Sequence, residues 1–229
     1  WKHFLLYQTH FKTQIMGRKI ACLIGPDANQ FVLKDHAENF SSKVGWSILE
    51  PLLGKGILLQ DGQQHQTIRK LIYPAFHAQA VASYFDIIQS TVEQFLDSWT
   101  ERNPIFLIDE LRQLTLLIAC RLLLGTKAEQ EVKTLIQYFS ELIVGIRTVL
   151  RWDIPSTKFG RAMNARRQLE VFLYSIVEQR RKQENFSEDQ DVLGLLLSST
   201  DEDGNQLNDS EIITQSLQLL FGGHETTAK

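Results

Sequence analysis

Apolar and polar positions sort this chain into a short extended opening and a long helical remainder. Phe11–Ile15 and Lys19–Ile24 are β-compatible runs separated by Met16-Gly17-Arg18, a spacing that predicts a tight hairpin. Gly25-Pro26-Asp27 ends the second run, and Pro26 suits the first turn of a short helix reaching Leu33. Between Phe40 and Gly56 the breakers Gly45, Pro51, Gly54 and Gly56 predict irregular backbone. The apolar residues it carries, Trp46, Ile48, Leu52 and Leu53, read as a satellite cluster beneath a loop.

Helical spacing then takes over. Asp61-Gly62 marks a turn, and a helix from about Gln63 should stop at Pro74. His65 and Arg69 lie four apart on it, so they share a face and can converge on one anionic group, although an isolated His and Arg in this pattern read first as a solvated polar face. Val81, Tyr84, Phe85, Ile88, Val92, Phe95, Leu96 and Trp99 predict one amphipathic helix broken at Asn103-Pro104. Leu111–Leu124 is apolar enough for a buried helix stopped at Gly125, and Ala128–Val149 carries a Phe139, Leu142, Ile143, Ile146 stripe. Past a break at Arg151–Pro155, a long helix is expected over Phe159–Gln183. Its Arg180, Arg181 and Lys182 read as a solvated end, where cations suit the helix dipole. Asn185–Gln190 reads as a polar linker and Asp191–Ser198 as a short helix. Asp201–Asn205 is a turn, since its glycine is misplaced for a calcium loop.

The last stretch holds the chemistry. Asn208 and Glu211 have the spacing of a capping box. Ile212, Ile213, Leu217, Leu219, Leu220 and Phe221 then predict a largely buried helix. Gly222-Gly223 interrupts it, and Glu225, Thr226 and Thr227 follow. Either Gly222 caps the helix and 224–229 form a polar loop, or the helix continues because something flat must lie against bare backbone. The second reading leaves Glu225 and Thr226 facing a buried reaction site, with Thr227, about 100° further round, pointing elsewhere.

Composition narrows the options. Apolar residues make up 43% of 229, enough for a substantial core in one large domain or two small ones. A net charge of −3 with no block of one sign gives no support for nucleic-acid binding. No apolar run approaches the ~20 residues of a membrane span. The opening residues are not a signal peptide, so the expected location is cytoplasmic, with no membrane anchor seen. Both ends look cut: the chain opens on Trp1 and closes in what should be mid-helix. Cys22 and Cys120 form neither a disulfide framework nor a metal cluster.

The run Phe221-Gly222-Gly223-His224-Glu225-Thr226-Thr227 resembles the central helix of the cytochrome P-450 heme-thiolate monooxygenases, whose pattern is Ala/Gly-Gly-x-Glu/Asp-Thr-Thr. A second stretch agrees. That family carries Trp-x-x-x-Arg followed by Pro-Ala-Phe, and here His65, Arg69 and Pro74-Ala75-Phe76 stand in that order. His in place of Trp resembles the branch that includes retinoid hydroxylases. An imidazole N–H can still donate to a carboxylate, and Arg can do so bidentately.

The resemblance covers essentially the whole chain as the first half of such an enzyme. It implies a mostly α partial single domain over 1–229, with a small N-terminal β-hairpin and a long central helix at the C-terminal end. It implies a heme whose propionates are held by His65 and Arg69, beside Gly222 and Gly223, with Thr226 and Glu225 supporting proton delivery during oxygen activation. Trp46, Ile48 and Leu53 would belong to a lid over a hydrophobic small-molecule substrate, and Ile146 to the second wall of its entrance. Two electrons would come from a ferredoxin or flavoprotein reductase. The family's Glu-x-x-Arg helix and axial cysteine loop have no counterpart here, so the fragment alone should be inactive; Cys22 falls in a strand beside a turn, and Cys120 in an apolar helix without the glycines such a loop needs. A non-enzymatic helical domain binding an apolar ligand or partner helix, and a decayed gene product, remain open readings.

Overall fold

A computed structural model describes residues 10–15, 17–99, 106–125, 129–183, 191–225 and 227. The chain divides into two compact units, residues 1–42 and 43–229. In the first, β1 (His10–Ile15) and β2 (Arg18–Leu23) pair antiparallel, with Ile15 opposite Arg18 next to the turn. Phe11 pairs with Cys22 and Thr13 with Ile20, so these four share the more sheltered face of the ribbon. Pro26 opens α1 (Pro26–Gln30), which continues as a wider turn through Asp35.

In the second unit the segment expected to be irregular is instead chopped into short helical turns: α2 (Ser42–Trp46), a 3-10 turn at Ser47–Leu49, and α3 (Glu50–Leu53). Pro51 sits at the start of α3, where its missing N–H costs nothing. Leu49, Leu52 and Leu53 are buried in the main core, so this segment is structural along one side. Next come a 3-10 turn at Ile57–Leu59, α4 (Gly62–Ile72), and a 3-10 turn at Tyr73–Phe76 that carries the chain through Pro74.

The single helix expected from Val81 to Trp99 is two, α5 (Ala78–Ser83) and α6 (Phe85–Asp97). They part at Tyr84, whose buried phenol donates to the Ala75 carbonyl at 2.8 Å. A buried hydroxyl must find a partner, and the carbonyl of the preceding 3-10 turn supplies it. The long helices follow: α7 (Leu107–Leu124), α8 (Glu129–Ile146) and α9 (Lys158–Arg181), then α10 (Val192–Ser198) and α11 (Asp209–Glu225).

α8 and α9 run closely against each other. At Gly145 an added Cβ would collide with the Ala162 methyl, so the crossing is as tight as backbone allows. α11 packs mainly on α7, burying Ile212, Ile213, Leu217 and Leu220. No helix among the described residues is long and apolar enough to cross a membrane.

One ionic junction ties three of these helices. Arg180, expected at a solvated end, is 9% exposed, and both its terminal nitrogens donate to Asp191 Oδ2 at 2.9 Å. Nη2 also donates to the Leu124 carbonyl at the end of α7, and Asp191 Oδ1 accepts from Gly194 N as the cap of α10. Gly125 turns left-handed there (φ 60°), and a Cβ would run into the Asp191 carboxylate.

Candidate functional site

Both ends of α11 bear on the site. Its start is the capping box: Glu211 N donates to Asn208 Oδ1 at 3.0 Å, and Asn208 N to Glu211 Oε2 at 2.9 Å. Its other end runs through Gly222-Gly223 to Glu225 without a break, so the glycines do not cap the helix. His224 supports this last turn. It is buried, with Nδ1 3.1 Å from Thr115 Oγ1 on α7 and its ring edge-on to Phe139 on α8.

The glycine pair opens onto a cleft of about 490 Å³. α7 lines it with Thr115, Ile118, Ala119, Leu122 and Leu123, and Ile57, Leu58, Phe76, Val81 and Tyr84 complete its apolar lining. A Cβ added at Gly222 would meet nothing within 4 Å, and one at Gly223 would touch Ala119 at 3.5 Å. An apolar slot thus runs along bare helix backbone, suited to a flat hydrophobic group. Tyr84 brings a phenol whose pKa is raised, first by burial and then by the nearby Asp191 carboxylate, so it stays a neutral donor.

The expected site residues distribute unevenly. Gly222 and Gly223 line the cleft. Thr227, expected to point elsewhere, lines it too. Thr226 lies outside the described residues, as does the side chain of Glu225. His65 is half-buried and Arg69 exposed on α4. Arg69 lines a separate cavity with Gln66, Lys70, Tyr73, Thr200, Asp201 and Glu202, so the 3-10 turn, Tyr73 on one side and Phe76 on the other, stands between the two spaces. Among the described residues its guanidinium makes no ion pair.

Leu53, expected in a lid over the substrate, is fully buried in the core and does not line the cleft. Trp46 and Ile48 are each 47% exposed, and Ile146 is half-buried against the core. One residue the sequence reading passed over joins these two walls. Arg151 donates to the Ile48 carbonyl and, at 3.3 Å, to that of Ile146, with its guanidinium 5.3 Å above the Phe159 ring. Gln215, Gln218, Thr115 and His224 were passed over as well. The available signal was polarity at 215 and 218 inside an apolar helix, since such groups stay buried only when partnered.

Cys120 is fully buried in α7, and burial pushes its thiol up to about 12; Cys22 sits in the hairpin unit.

The family model for cytochrome P450 matches residues 2–229. The chain belongs to the cytochrome P450 family. Among P450 relatives, a protein of Synechocystis sp. (strain ATCC 27184 / PCC 6803 / Kazusa), putative cytochrome P450 120, is 33% identical over 94% of this chain and 48% of its own length. Taxane 13-alpha-hydroxylase of Taxus cuspidata is 30% identical over 95% of this chain and 45% of its own. Abscisic acid 8'-hydroxylase 2 of Arabidopsis thaliana is 28% identical over 97% and 46%. The solved structure of retinoic acid-bound cyanobacterial CYP120A1 superposes with a TM-score of 0.81, at 29% identity, over 98% of this chain and 51% of that one. The chain spans about half the length of the curated P450s it matches, and its mostly helical fold with a two-stranded sheet corresponds to the N-terminal half of the P450 fold. Heme is the cofactor of this family, and its relatives act as monooxygenases and hydroxylases.

Proposed function

We propose that the complete protein is a heme-dependent monooxygenase that hydroxylates a hydrophobic isoprenoid, with two electrons supplied by a ferredoxin or flavoprotein reductase. The observation that carries this reading is the unbroken helix across Gly222-Gly223, which presents side-chain-free backbone to an apolar cleft. Relatives named for taxane, abscisic acid, ent-kaurenoic acid and β-amyrin, and a neighbour bound to retinoic acid, all concern isoprenoid skeletons.

The residues present fit a heme. Gly222 leaves open the volume a Cβ would fill and the cleft walls are apolar, while Arg69, in the neighbouring cavity across the 3-10 turn, has a guanidinium with no ion pair among the described residues to offer a propionate. When bound, heme would supply the oxygen-activating redox chemistry. Arg69 and His65 would anchor its carboxylates. Gly222 and Gly223 would let the helix approach it, and Thr226 with Glu225 would pass protons into the cleft.

In the complete protein, Arg69→Ala should weaken heme retention by about 1.5–3 kcal/mol, the value of a charge-assisted contact at a partly buried carboxylate. Substrate affinity should change much less, and His65→Ala should act in the same direction more mildly. Transfer of heme to an apo-globin acceptor reads the dissociation rate directly. Equal rates in wild type and Arg69→Ala would remove both residues from the site.

A further inference from the structure

One wall of the glycine cleft is pinned by side chains from α11. Residues 54–56 connect α3 to the 3-10 turn at Ile57–Leu59, and over this stretch the Gly54 carbonyl and the Ile57 and Leu58 N–H groups find their partners on α11. α11 satisfies all three. Gln215 Oε1 accepts from Ile57 N at 3.0 Å, Gln218 Oε1 accepts from Leu58 N at 2.9 Å, and Gln218 Nε2 donates to the Gly54 carbonyl at 3.0 Å. The two glutamines are 1% and 2% exposed, so their amides are spent on this connection rather than on water.

Gly56 closes the arrangement from the other side. A Cβ there would lie 2.6 Å from Gln218 Cδ and 2.7 Å from its Oε1, so only glycine lets the amide reach both Gly54 and Leu58. The residues so fixed, Ile57 and Leu58, line the same cleft as Gly222 and Gly223, and Gln218 itself stands one helical turn before Gly222 on that face.

We propose that Gln218 is a positioning residue for ligand selection: its carboxamide fixes residues 54–58 as a wall of the glycine cleft and so sets the width of ligand admitted beside the cofactor. This rests on the heme reading above. The wall is adjustable in principle, because a connection held by side-chain amides can be released without unfolding either helix. Gln218 therefore selects by geometry, and Ile57 and Leu58 supply the surface that touches the ligand.

The test uses two variants that break the clamp from opposite sides. Gln218→Met keeps side-chain length and loses both hydrogen bonds. Gly56→Ala leaves Gln218 in place but displaces its amide, and since φ at Gly56 is −82° the backbone accepts alanine. Hydrogen exchange at the Leu58 amide should accelerate on the order of tenfold in both variants, the scale expected for two lost hydrogen bonds. In the complete, heme-loaded protein, the absorbance shift on titration with imidazole and with 4-phenylimidazole gives two affinities. Their ratio should change by about tenfold in both variants, with imidazole itself within about twofold of wild type.

Loss of general stability would lower heme loading without moving that ratio. Unchanged exchange at Leu58 overturns the clamp. Faster exchange with an unchanged ratio overturns its part in selection. A wild-type protein that gives no imidazole shift overturns the heme reading, and the proposal falls with it.

Discussion

Replacing Asp191 by alanine should be among the most damaging single changes in the described part of the chain. The perturbation removes the partner of Arg180, leaving a guanidinium whose side chain is 10% exposed facing the end of α7. Breaking a buried pair costs about 3–5 kcal/mol, because a desolvated guanidinium loses the carboxylate that both its terminal nitrogens bond. The same substitution strips the cap from α10, worth about 1 kcal/mol more. Against a typical domain stability of roughly 5–15 kcal/mol, that is a large share of the total. Asp191→Asn should cost less, since Oδ1 can still accept from Gly194 N. The double variant Arg180→Met, Asp191→Ser should be more stable than Asp191→Ala alone, because it leaves a capping hydroxyl and no buried guanidinium. Urea unfolding of the complete protein, followed by far-ultraviolet circular dichroism, gives the three midpoints at constant slope. If Asp191→Ala loses less than about 1 kcal/mol, the pair behaves as a surface salt bridge and the reasoning fails.

Two further predictions concern the thiol and the hydroxyls. Cys120 titrates from 9 when unfolded to about 12 when folded, so its contribution is fully present below pH 9 and is lost as pH rises toward 12. Cys120→Ala should flatten that alkaline loss in a pH series of thermal midpoints; parallel curves for the two proteins would contradict it. In the complete protein, Thr226→Ala should keep heme and substrate yet divert reducing equivalents to peroxide, with a loss of product of roughly 10²–10⁴-fold at most, the scale of general acid–base assistance. Because Thr227 lines the cleft, Thr227→Ala is the decisive comparison: if it uncouples and Thr226→Ala does not, Thr227 holds the proton-delivering position.

Local interactions were legible in the sequence and distant ones were not. The capping box at Asn208 and Glu211 lies within three residues, and the hairpin register follows from two adjacent extended runs, so both could be read directly. Arg180 was misjudged because its partner Asp191 lies beyond a polar linker, and nothing in the helix itself announces the pair. Residues 40–56 looked irregular because their breakers are real; each permits only one helical turn before the next, and burial of Leu49, Leu52 and Leu53 makes those turns form. The family motifs marked where chemistry belongs. Ligand-facing geometry was harder: Leu53 went to the core, and the cleft wall depends on amides from Gln215 and Gln218, some 160 residues downstream.

The contact of Gly145 with Ala162 has a consequence for how this molecule can move. Two helices meeting at backbone distance, with a methyl lodged where a side chain would be, have no lubricating layer between them. Sliding α8 along α9 would drive Ala162 into the next residue of the neighbouring ridge, so small shear displacements meet a steric stop. The pair is therefore a plate, and whatever motion it makes is taken up in the non-helical connections at its margins. Arg151, on the connection between the two helices and bonded to the Ile48 carbonyl, is the pin that would have to be drawn first. Substituting Gly145 would thus change more than stability: it would wedge the plate apart and turn a stiff element into one with internal play.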